Sequence, residues 1–102
     1  MLKMGEMKRP KLYISLPITG RDIDEVKLIA RGVKLKFIHR EVITPFDVCP
    51  ESDKPYSHYM GKDIKALLEC DTVYFCKGWQ NSKGCMAEYE IAKIYGIKTL
   101  FE

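Results

Sequence analysis

The feature that most constrains this chain is an alternation of short apolar runs with amphipathic stretches, completed within 102 residues. Lys11-Leu12-Tyr13-Ile14-Ser15-Leu16 is apolar and β-rich, and Pro17 and Gly20 end it. From Asp22 to His39, Ile23, Val26, Ala30, Val33 and Phe37 recur at three- and four-residue steps, with Lys27, Arg31 and Lys34 opposite. That spacing predicts a helix. Asp22 and Asp24 suit its positive end. Gly32 is a soft spot worth ~1 kcal/mol against alanine. Glu41 to Thr44 reads as a short strand stopped by Pro45, and Phe46 to Pro55 as a loop. A second helix is expected over Tyr56 to Glu69, with Met60, Ile64, Leu67 and Leu68 inward. Asp71 to Cys76 is a third strand, and Lys77 to Gly84 a polar loop. A third helix covers Gly84 to Tyr95 and ends at Gly96, a suitable residue after a helix. Ile97 to Phe101 is the last strand.

Strands alternating with helices imply a parallel sheet covered on both faces. Right-handed crossovers leave few topologies. The expected one is a minimal flavodoxin-like, Rossmann-like three-layer sandwich with strand order 2-1-3-4. It would form one domain over residues 11–102, after a flexible leader over 1–10. Ligands bind such sheets at the carboxyl ends of the strands, at the topological switch point. Here that point lies between strands 1 and 3, which singles out the loops Pro17 to Arg21 and Lys77 to Gly84.

Composition narrows the function classes. The net charge of +3 is too mild to argue for nucleic acid. No run of 18 apolar residues crosses a membrane, and the first ten residues lack a secretory pattern. Cys49, Cys70, Cys76 and Cys85 show no CxxC pair and no zinc-finger histidine spacing. They read as reduced thiols of a cytoplasmic protein, and no metal and no cofactor are expected. A chain this short has a small core, so a homo-oligomer is expected.

Two loops and one helix carry the candidate chemistry. Asn81-Ser82-Lys83-Gly84 leads into the third helix, where free N–H groups and the dipole favour an anion. A serine there is also an ordinary N-cap. The first loop offers Ser15, Thr19 and Gly20, but neither a GxGxxG nor a P-loop pattern. On the third helix, Glu88 has Gly84, Cys85, Ile91 and Ala92 at three and four steps, so it faces inward. Glu90 has Lys93 three steps on and reads as a solvated ion pair. A carboxylate at the core edge is costly unless something uses it. Glu88 therefore reads either as a cap on a loop N–H or as a desolvated nucleophile or base. Asp63, beside Met60, Ile64 and Leu67, is open on spacing alone, and Asp71 reads as a turn residue.

Three segments resemble the nucleoside 2-deoxyribosyltransferase superfamily. Tyr13-Ile14-Ser15-Leu16-Pro17-Ile18-Thr19-Gly20 resembles its opening strand and substrate loop. Gly61-Lys62-Asp63-Ile64, with Asp71 eight residues after Asp63, resembles its aspartate-bearing helix. Ser82-Lys83-Gly84-Cys85-Met86-Ala87-Glu88, followed by Ala92 and Gly96, resembles its nucleophile helix. The resemblance covers about Tyr13 to Phe101. It implies that Glu88 attacks C1′ of a (deoxy)ribosyl group, that Tyr13 orients it, and that Asp63 holds sugar hydroxyls or helps the base depart. Ser15, Pro17, Ile18, Thr19, Gly20, Ser82 and Gly84 would bind the nucleoside or nucleotide. Trp79 and Phe46, on loops beside the crevice, read either as stacking on a base or as ordinary loop packing.

Ser82, six residues before Glu88, matches the serine with which the nucleoside-monophosphate hydrolase branch holds a 5′-phosphate. Thr19 departs from that branch, which carries an arginine there, with Arg21 nearby. The longer transferases have a C-terminal extension, so any wall it makes is expected to come from a neighbouring subunit or to be missing. A cytokinin-activating-type phosphoribohydrolase would need a PGGxGT motif that the sequence lacks. A non-catalytic nucleotide-sensing module and an FMN carrier are the rivals from other classes.

Overall fold

A computed structural model describes residues 10–51 and 53–102. The expected leader lies outside the described residues apart from Pro10. The elements are β1 (Lys11–Ser15), α1 (Ile23–Lys36), β2 (Glu41–Ile43), α2 (Pro45–Val48), α3 (Tyr56–Leu68), β3 (Thr72–Phe75), α4 (Lys83–Ile94) and β4 (Lys98–Phe101). One turn of 3-10 helix, Trp79–Asn81, lies between β3 and α4. The four strands form one parallel sheet in the order β2-β1-β3-β4. Tyr13 pairs with Ile43 on one side and Val73 on the other.

The strand residues alternate between two cores, as side chains of a pleated strand must. Leu12, Ile14, Leu16, Tyr74 and Cys76 pack with Val26, Ala30 and Val33 of α1. Tyr13, Val73 and Phe75 pack on the opposite face with Ala66 and Leu67 of α3 and Ala92 of α4. The sheet is therefore sandwiched between α1 and the α3–α4 pair. Burial of β1 and β3 on both faces explains why they read as continuous apolar runs.

The segment after Pro45 differs from the expected loop. Thr44 accepts from the Asp47 N–H, and the Asp47 carboxylate accepts from the Thr44 N–H. This capping box, with Pro45 in the first helical position, makes one helical turn. The apolar stripes are also narrower than expected. Ile23 and Leu68 are each 44% exposed, and the buried side of α3 is Asp63, Ala66 and Leu67.

The expected α1 also runs past the observed one, which closes at Lys36 with Phe37 as its cap. Asp71 fastens the lower end of the sheet, accepting from the Lys11 N–H and from the Thr72 hydroxyl.

Candidate active site

The carboxyl ends of β1 and β3 open into a cleft of about 1270 Å³, enough for a nucleotide. Pro17, Ile18, Thr19 and Arg21 form one wall, Pro45, Phe46, Tyr56, Met60 and Asp63 another, and Lys77, Ser82, Lys83, Gly84 and Cys85 a third. The switch-point rule thus brings together both loops it singled out. Gly20 turns the first loop with a φ of +78°, which favours glycine, but it does not line the cleft.

Beneath this lining lies Glu88, 4% exposed, on the second turn of α4. The Tyr13 hydroxyl donates to Glu88 Oε2 at 2.9 Å and the Ser15 hydroxyl to Oε1 at 2.6 Å. Both donors are buried strand residues, so β1 sets the resting position of the carboxyl. Glu88 is not itself in the lining, but Asp63 and Cys85, which interact with it electrostatically, are. Burial pushes the Glu88 carboxyl up to about 7, partly offset by the Ser15 and Tyr13 hydrogen bonds. Burial likewise raises Asp63 to about 6. Among the described residues these are the two buried acids, and Asp63 Oδ1 has no hydrogen-bond partner. The Tyr13 hydroxyl is raised well above its usual value by burial and then by Glu88, so it stays a donor.

α4 begins at the cleft. Ser82 is its N-cap, accepting from the Cys85 N–H at 3.3 Å. The Lys83 and Gly84 N–H groups of the first turn have no acceptor within the helix. A side chain on Gly84 would meet the Tyr56 hydroxyl at 3.2 Å and the Met60 sulfur at 3.4 Å, so glycine keeps this edge open. Arg21, Lys27, Lys77 and Lys83 bring positive charge to the same cleft.

Trp79 and Ser15, like Gly20 and Glu88, lie outside the lining of the cleft. Trp79 packs against Phe75, Tyr89 and Phe101, with ring centroids 5.2, 5.0 and 5.4 Å away. The 3-10 turn carries its ring back over the end of the sheet, where burial of apolar area outweighs exposure at the rim. Ser15 is wholly buried and serves Glu88 rather than the cleft.

Phe46 does line the cleft, with the Lys27 ammonium 5.6 Å from its ring centroid. Tyr56, which the sequence reading passed over, lines it too, and its hydroxyl is raised by burial and then by Glu88. Its position one residue after Pro55, at the start of α3, was the available signal. Glu90 forms the expected ion pair with Lys93 at 3.7 Å.

Residues 10–101 match the family described as a domain of unknown function, DUF4406. The chain belongs to that family. A search of curated proteins finds no match to this DUF4406 chain. One group of metal-capable side chains stands out among its described residues. Cys49, Glu51 and His58 hold donor atoms within 4.8 Å of one another, a convergence that cysteine spacing alone did not signal.

Proposed function

We propose that the chain cleaves or transfers the N-glycosidic bond of a nucleoside or (deoxy)nucleoside 5′-monophosphate. The observation that carries this reading is a desolvated carboxyl, Glu88, gripped by Tyr13 and Ser15 beside a second buried acid with an unsatisfied oxygen. A carboxylate Oε of Glu88 attacks C1′ as the C1′–N bond breaks, and protonated Asp63 delivers its proton to the leaving base. Asp63, now ionised, then takes a proton from water, or from an incoming base, as that acceptor displaces the Glu88 ester at C1′. Two displacements retain configuration. The chemistry needs one proton on the pair, and acids raised to about 6 (Asp63) and about 7 (Glu88) hold one near neutrality; it rests mainly on Glu88, so the reactive form is the less populated one in which the proton has passed to Asp63. Attack requires the Glu88 side chain to advance past Cys85 and Asp63 into the cleft.

The α4 N-terminus, Ser82, Lys83 and Arg21 would supply a 5′-phosphate subsite, with the Tyr56 hydroxyl beside it at Gly84, and Phe46 on the lining would flank the base. Neither metal nor cofactor enters this chemistry. Four buried, free thiols favour the cytoplasm as the working compartment. Leu28 and Leu35, seven residues apart on α1, are exposed, and self-association would cover them. Sedimentation of wild type and Leu35→Lys tests this, with a dimer or larger species expected only for the wild type.

A second reading, a nucleotide-sensing module, is favoured by the burial of Glu88 and the occupation of both its oxygens. Incubation with a panel of deoxynucleosides and their monophosphates separates the two. The enzyme reading expects free base from at least one of them, and Glu88→Ala that still gains melting temperature with that nucleotide while releasing none. A nucleotide that raises the melting temperature of wild type with no base released from any panel member establishes the sensor.

A further inference from the structure

We propose that Cys49, Glu51 and His58 form a site for one zinc-like divalent cation at the rim of the cleft. Cys49 is the C-cap of α2, Glu51 lies on the loop beyond it, and His58 is in the first turn of α3. Their donor atoms all lie within 4.8 Å of one another, and the His58 Nε2 to Glu51 Oε1 distance is 2.9 Å. Zinc bonded at its usual lengths to sulfur, nitrogen and oxygen sets its donors roughly 3.3–3.7 Å apart in a tetrahedron. The trio's separations, from 2.9 Å to at most 4.8 Å, bracket that range.

The donor chemistry selects the ion. One thiolate, one imidazole and one carboxylate suit zinc, whereas magnesium and calcium require several oxygens. The Cys49 thiol would lose its proton to solvent as the sulfur–metal bond forms. The surroundings fix the carboxylate-bearing loop. The Tyr59 hydroxyl donates to the Glu51 carbonyl and accepts from the Lys54 N–H, both at 3.1 Å. Lys62 opposes the cation electrostatically, and Asp63 favours it at Cys49. Cys49 and Glu51 line the cleft with Tyr59 and Asp63, so two of the three donors border the same cavity. The site is independent of the glycosidic reading, because none of its three ligands takes part in that chemistry.

Titration of chelator-treated full-length protein with cobalt(II) tests the site. The expected result is a thiolate-to-cobalt charge-transfer band that saturates at one equivalent and is abolished by competing zinc. Cys49→Ser should lose the band, and His58→Gln should weaken binding by more than about tenfold, since even outer-shell changes cost 10–100-fold. Cys70→Ser, in the core between the sheet and the α3–α4 pair, should keep it. A wild type with no band at several equivalents, and no rise in melting temperature with zinc, overturns the proposal. So does a band that survives in folded Cys49→Ser.

Discussion

Glu88 illustrates how a single side chain is set by its neighbours. Its carboxyl is acid-weakened because burial removes water faster than two hydroxyl donors replace it. A carboxyl raised from 4.5 to about 7 carries no penalty below 4.5, where both folded and unfolded chains are protonated. Between those values the unfolded chain ionises first, so stability falls as pH rises, by up to about 3 kcal/mol. Asp63 acts in the same direction over a lower window, up to about 6. Urea unfolding at pH 5 and pH 8 should therefore show wild type losing on the order of 4 kcal/mol, and Glu88→Gln losing less than half of that. Equal losses in both would show that Glu88 does not carry the penalty. Catalysis should follow the same pair. The rate is expected to peak between about pH 6 and 7, falling on the acid side for want of a carboxylate and on the alkaline side for want of an acid. Tyr13→Phe leaves one Glu88 oxygen without its donor and should lower kcat by about 10- to 100-fold with little change in KM.

At the scale of elements, α4 does two things with one terminus. Ser82 caps it, and the same turn faces the cleft. Ser82→Ala should cost ~1 kcal/mol of stability through the lost cap. It should also raise KM for a 5′-monophosphate several-fold while leaving that of the nucleoside unchanged. Steady-state KM values for the two substrates check this, and an equal rise in both would reduce Ser82 to a cap. The helices and strands were legible because their periods differ and because Pro17, Pro45 and Gly96 punctuate them. Glu88 was legible as inward because small and apolar residues flank it at helical spacing. The short α2 was missed because its capping box, Thr44 and Asp47, sits inside a proline-rich stretch that reads as loop. Trp79 stayed open between base stacking and loop packing because its partners Phe75, Tyr89 and Phe101 come from three other segments, and no local pattern reports such a meeting. Cys49, Glu51 and His58 were invisible as a group for the same reason.

For the whole molecule, the order β2-β1-β3-β4 decides where chemistry is possible. It places β1 and β3 side by side, so Tyr13 and Ser15 from one strand reach Glu88 on the helix that follows the other. The same order opens the cleft above them, with acids below and lysines and an arginine at its edges. The central claim is that this buried carboxyl breaks a glycosidic bond. Its most direct test is the rate of free-base release from a deoxynucleoside 5′-monophosphate by wild type and Glu88→Gln side by side, with nucleotide affinity measured for both. The account predicts that Glu88→Gln binds the nucleotide within a few-fold of wild type and releases base at least about 1000-fold more slowly, as expected when a nucleophile is removed. A Glu88→Gln protein that releases base at the wild-type rate would contradict it.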